Sequence, residues 1–125
     1  TAGYFNNTNC MTNYTAVTGA CMMIKKSKFD SVGGFDEHLA VDCNDVELCC
    51  RLISEGYFNV YVPWVKMYHY ECLTRGNPII SKKSMANQNI EKNYFIEKWG
   101  DIINNDPFYN SNLSRTSKYF EIGNE

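Results

Sequence analysis

An α/β fold is what the sequence predicts, on three observations. Residues 16–25, AVTGACMMIK, form a nearly continuous apolar run suited to a buried strand. Residues 45–55 place Val46, Cys49, Leu52 and Ile53 at helical spacing, with Leu48 beside them. Two strand-like segments, 58–62 and 65–70, then follow, so strands and helices alternate along the chain. The expected architecture is a mixed sheet with flanking helices.

Each element has a local reason. Residues 1–15 are polar and rich in Asn and Thr, with Tyr4, Phe5 and Tyr14 as anchors, and read as loop. Gly19 inside the apolar run marks a close backbone passage. Ser27 to Asp30 resembles a capping box in which Asp replaces Glu or Gln. The helix it starts is short, because Gly33 and Gly34 stop it, and Phe35 is expected to re-enter the core. For the 45–55 helix, Asn44 is the expected N-cap, Glu47 the acid of its capping box and Gly56 the stop. Pro63 ends the first strand, and Trp64 after it reads as a core aromatic. The second strand sets Val65, Met67 and His69 on one side, and 71–83 reads as an exposed loop. A second helix over about 84–103 takes its apolar stripe from Tyr94, Phe95, Trp99, Ile102 and Ile103. Asp106-Pro107 breaks it, and the following PFYNSNLS reads as extended.

With 125 residues the chain suits one small domain or a piece of a larger one. Hydrophobic residues at 44% and charged residues at 21% leave enough apolar material for a core and exclude wholesale disorder. Net charge is −2, with no basic stripe to track a phosphate backbone, so nucleic acid is not an expected partner. No apolar run is long enough to span a bilayer. The chain begins at Thr1 rather than Met, as expected of a piece cut from a longer protein. The six cysteines, at 10, 21, 43, 49, 50 and 72, include no C-x-x-C pair. Most of them read as small buried hydrophobes in a reducing cytoplasm, with a disulfide framework as the rival reading.

Four segments in order carry a resemblance: AVTGACMMIKKSKFDSVGGFDE (16–37), NDVELCCRLISEGY (44–57), VYVPWVKMYHYECLTRG (60–76) and WGDIINNDPFYNSNLS (99–114). Together they resemble the second half of the catalytic domain of family 2 glycosyltransferases of the GT-A type, especially those that build bacterial surface polysaccharides. The resemblance implies a partial GT-A fold lacking the N-terminal nucleotide-binding half. The family's Asp-x-Asp motif, which holds metal and donor diphosphate, is absent from these 125 residues and is expected upstream.

The resemblance also implies roles. Asp45, at the start of the 45–55 helix, corresponds to the family's catalytic base, which deprotonates the acceptor hydroxyl so that the sugar configuration inverts. A carboxylate within hydrogen-bond reach of one proton does this work, and a helix N-terminus favours its anionic form. Asp is common at helix starts for that second reason alone, which is the plainer reading. Asn44 stands where the family often has Glu and is assigned to the donor side. His69 corresponds to a histidine near the metal or the donor diphosphate, and it is the expected metal ligand, for Mn²⁺ or Mg²⁺ in the complete enzyme. Arg75 has the fork geometry that grips a diphosphate, and Cys72 stands where the family often has Ser. Thr18 and Gly19 are expected to pass beneath the donor sugar. Asp36, Glu37 and Asp42 read as structural, Asp36 as the residue that fixes the loop after GGF. His38 reads as exposed.

The expected parent is an inverting transferase that moves a sugar from a nucleotide-sugar donor to a glycan acceptor, in the cytoplasm or at the inner face of the membrane. This segment alone is expected to be inactive and to self-associate. The alternative is a non-catalytic carbohydrate-binding or subunit-contact module derived from a transferase.

Overall fold

The computed structural model describes residues 4–40, 42–70, 82–117 and 120–123. Among them the elements run β1 (Thr12–Tyr14), α1 (Lys26–Ser31), α2 (Asn44–Ser54), β2 (Asn59–Tyr61) and α3 (Lys82–Asn104). A short 3-10 helix spans Tyr4–Asn9, and a single 3-10 turn spans Gly19–Cys21.

Helix α2 is the centre of the molecule. Its periodic face buries Leu48, Cys49, Cys50 and Leu52, each worth roughly 1–3 kcal/mol of transfer free energy for the larger side chains. Cys50 meets Leu39 and Phe95 in the core, and Val46, Tyr94, Trp99, Ile102 and Ile103 pack around them. The stripe predicted for the second helix is therefore the face that α3 lays on α2. α3 kinks at Trp99, whose φ of −123° is not helical.

Both short helices end in Schellman motifs, as the glycines predict. After α1, Gly34 N donates to Phe29 O and Gly33 N to Asp30 O, with φ of +73° and +83°. After α2, Tyr57 N donates to Leu52 O and Gly56 N to Ile53 O, with Gly56 at φ +80°.

Several expectations are corrected. The 16–25 run is not a buried strand. It contains a 3-10 turn at Gly19–Cys21, and Met22 is extended, but Met23 is 98% exposed. An extended segment becomes sheet only against a partner, and among the described residues the one sheet is β1 antiparallel to β2. For the same reason 65–70 is irregular and exposed. β1 itself falls in the stretch read as loop. Its polar residues pair as Thr12 with Tyr61 and Tyr14 with Asn59, and the Tyr14 and Tyr61 rings meet edge to face. The mixed sheet is thus a short antiparallel pair. Lys25, not Ser27, holds the N-cap position of α1, without a side-chain cap bond, and Asp30 pairs with Lys26 instead of closing a capping box. Phe35 is 51% exposed, held edge-on by Phe29, and Trp64 is 68% exposed. The tail after Pro107 turns back on itself. Tyr109 OH donates to Ser114 O, and Leu113 bridges Ile122.

Candidate functional site

The site is the first turn of α2 and the 3-10 turn that touches it. Asp45 lies in the first helical turn and is half-buried. Gly19 N donates to Asp45 Oδ2 at 2.6 Å, and Val46 N donates to Asp45 Oδ1 at 2.9 Å. Two backbone amides thus hold the two carboxylate oxygens, and each oxygen keeps one lone pair for another proton. The turn that brings Gly19 here is capped by Thr18, whose Oγ1 accepts from Ala20 N at 3.3 Å.

Asn44 lies inside the helix as its first residue, so the N-cap is Cys43, in the left-handed region at φ 59° and without a side-chain cap bond. Asn44 Oδ1 instead accepts from Asp45 N at 2.7 Å, steadying the backbone beneath the carboxylate. The preceding loop is pinned by Glu91 of α3, whose Oε2 accepts from Asp42 N at 2.8 Å. Burial pushes the Cys43 thiol up, and the neighbouring carboxylates of Asp42, Asp45 and Glu91 push it further. Cys49 is raised by burial, and Cys50 is pushed up to about 12, again chiefly by burial. The five described cysteines are free thiols, and neither Cys49 nor Cys50 is poised as a nucleophile.

The capping-box role expected of Glu47 is wrong. Its side chain is fully buried and takes three partners: Arg51 NH2 at 2.7 Å, Lys98 Nζ at 2.9 Å and Trp99 Nε1 at 3.4 Å. Arg51 continues the chain of bonds by donating to Val32 O and Gly34 O, so the turn after α1 is fastened to α2. The i,i+4 spacing of Glu47 and Arg51 was the available signal. The other two partners, Lys98 and Trp99, lie on α3 and were not readable from α2 alone.

Asp36 does fix its loop, as expected, through His38 N at 3.0 Å. It also accepts from Tyr94 OH and Lys98 Nζ, both at 2.8 Å. The Lys98 ammonium is the main cause that holds the Asp36 carboxyl well below the usual range, and both His38 bonds and the Tyr94 bond add to it against the opposing effect of burial. For Lys98, burial favours the neutral amine, but the bonds to Asp36 and Glu47 outweigh it and raise the group above the ordinary lysine value. His38 is exposed and stacks on Tyr94.

The predicted site residues are thus brought together in part. Thr18, Gly19, Asn44 and Asp45 form one cluster. His69 is exposed, in a stretch without regular structure. That stretch reaches the cluster's edge through Cys21 Sγ, 3.3 Å from Met67 Sδ. Arg75 and Cys72 lie outside the described residues. Among the described residues, no group of three or more His, Cys, Asp or Glu could hold a metal ion. No helix among them is long and apolar enough to cross a membrane.

No family model and no solved structure matches the chain. Curated proteins do. Over 114 residues, 90% of the chain, it is 40% identical to the uncharacterised protein y4gI of Sinorhizobium fredii, of which this covers 12%. It is 30% identical over 113 residues to the O-antigen biosynthesis protein RfbC of Myxococcus xanthus, covering 90% of the chain and 8% of that protein. Over 60 residues, 48% of the chain, it is 37% identical to the N-acetylglucosaminyl-diphospho-decaprenol L-rhamnosyltransferase of Mycobacterium tuberculosis, covering 20% of that enzyme. The chain therefore spans a fifth or less of each of these relatives. Two of them are named for O-antigen biosynthesis and for rhamnosyl transfer.

Proposed function

We propose that this chain is the acceptor-activating part of a family 2, GT-A-type glycosyltransferase domain, with Asp45 as the general base of an inverting transfer. The observation that carries the reading is the half-buried Asp45 carboxylate at a helix N-terminus, each oxygen held by one backbone amide with a lone pair to spare. The similarity to a rhamnosyltransferase and an O-antigen biosynthesis protein supports it.

In the reaction, an acceptor hydroxyl donates its proton to Asp45. The freed oxygen attacks the anomeric carbon of a nucleotide-sugar from the face opposite the diphosphate. The bond from that carbon to the diphosphate breaks, and the nucleoside diphosphate leaves with the electron pair. A general base of this kind contributes about 10²–10⁴-fold. On this reading Thr18 and Asn44 serve the donor, and Arg75 and His69 serve the leaving diphosphate. The described residues alone do not make up a metal site.

The test is transfer by the longer polypeptide that carries this chain. It is offered a panel of nucleotide-activated sugars, L-rhamnose among them, with lipid-diphosphate-linked N-acetylglucosamine as acceptor. Product of inverted anomeric configuration supports the reading, and retention of configuration removes it.

One observation favours a second reading, a subunit-contact or carbohydrate-binding module. Trp64, Met67, Tyr68 and Tyr70 are each between 68% and 92% exposed along one segment. Exposed apolar clusters of this kind mark contact surfaces and favour self-association of the chain. A chain that stays monomeric across a light-scattering concentration series would remove that reading.

A further inference from the structure

We propose that Gly19 is a positioning residue for Asp45, and that glycine is required at 19 by the carboxylate and not by the donor sugar. The inference rests on Asp45 acting as the base. Two observations carry it. The Gly19 amide is the only donor to Asp45 Oδ2 among the hydrogen bonds of the described residues, at 2.6 Å. A Cβ at position 19 would lie 3.1 Å from Asp45 Cβ and 3.3 Å from Oδ2. The side of Gly19 where a side chain would project is therefore occupied by Asp45 itself.

The consequence is a coupled pair. The amide fixes the rotation of the carboxylate about its Cβ–Cγ bond, because Oδ1 is already taken by Val46 N. With both oxygens anchored, the remaining lone pairs point in set directions, and the acceptor hydroxyl meets a base that does not have to search for its orientation. A methyl group at 19 needs Asp45 to give way by a few tenths of an ångström. The shift acts on the base while leaving the backbone amide in place. Thr18 supports the arrangement from behind, since its hydroxyl caps the turn that aims the Gly19 amide.

The experiment is a double-mutant cycle in the longer polypeptide, with Gly19→Ala and Asp45→Asn singly and together, assayed with nucleotide-activated sugars. Gly19→Ala is expected to lower kcat about 10-fold with donor KM within about two-fold, the loss that a small misplacement of a reacting group gives. In the Asp45→Asn background it is expected to cost nothing further, because no base remains to be positioned. A rise in donor KM with kcat unchanged, or losses that add, would overturn the proposal and return Gly19 to the donor sugar. Near-wild-type turnover by Asp45→Asn alone would remove the base reading, and the positioning role with it. Should Gly19→Ala fail to fold, the Gly19 amide resonance decides. In ¹⁵N-labelled chain it is expected to move as pH titrates carboxylates and to stay still in Asp45→Asn. An amide that titrates alike in both proteins overturns the proposal.

Discussion

Glu47 Oε1 lies 2.9 Å from Lys98 Nζ, and through this contact a fully buried carboxylate on α2 is neutralised by α3, one residue before its kink. The same carboxylate holds Arg51, and the same ammonium holds Asp36, so four charges link α1's closing turn, α2 and α3. Asp45 stands two residues before Glu47 and inherits its place from this frame.

Glu47→Gln keeps the shape and removes the charge, leaving Arg51 and Lys98 without their shared counter-ion. The expected loss of stability is about 3 kcal/mol, the range for breaking a buried pair from one side. Urea unfolding measures it, and a loss below about 1 kcal/mol would mean the pair is solvated.

Asp36 makes stability depend on acid. Its carboxyl is depressed in the folded chain, chiefly by Lys98, so the unfolded chain binds protons more readily. The stabilisation is complete above the unfolded carboxylate value of about 3.9 and is lost as pH falls below it. Lys98 is raised, so its share holds below the ordinary lysine value and fades only in strong alkali. Asp36→Asn is expected to flatten the acid limb of a Tm–pH curve and leave its slope near neutrality unchanged.

Two glycines give opposite outcomes. Gly34 sits at φ +73°, and a Cβ there would lie 3.3 Å from the Phe29 ring, so Gly34→Ala is expected to destabilise by about 1–3 kcal/mol. Gly100 has open space and lies within α3, so Gly100→Ala is expected to stabilise by up to about 1 kcal/mol. Thermal melts of the two variants check both signs.

What the sequence revealed depended on how local the cause was. α2, α3 and the Schellman glycines follow from spacing and backbone freedom, and they stand within one or two residues of their predicted bounds. The 16–25 and 65–70 segments have strand-like composition, but a strand also needs a neighbour, which composition does not supply. Asp45 was legible as an acid at a helix start. Its bond to Gly19 was not, because it spans 26 residues and depends on a tight turn inside an apolar run. Glu47 was misread for a related reason. At a helix start an acid has two uses, and only the position of α3 decides that this one faces inward.

The most direct measurement is kcat for Asp45→Asn in the longer polypeptide, set beside donor affinity from calorimetric titration. The account predicts that turnover falls by about 10²–10⁴-fold while donor affinity stays within a few-fold, because the lost interaction belongs to the transition state. Turnover near that of the unmodified protein would contradict it and leave Asp45 as a carboxylate that only steadies the start of α2.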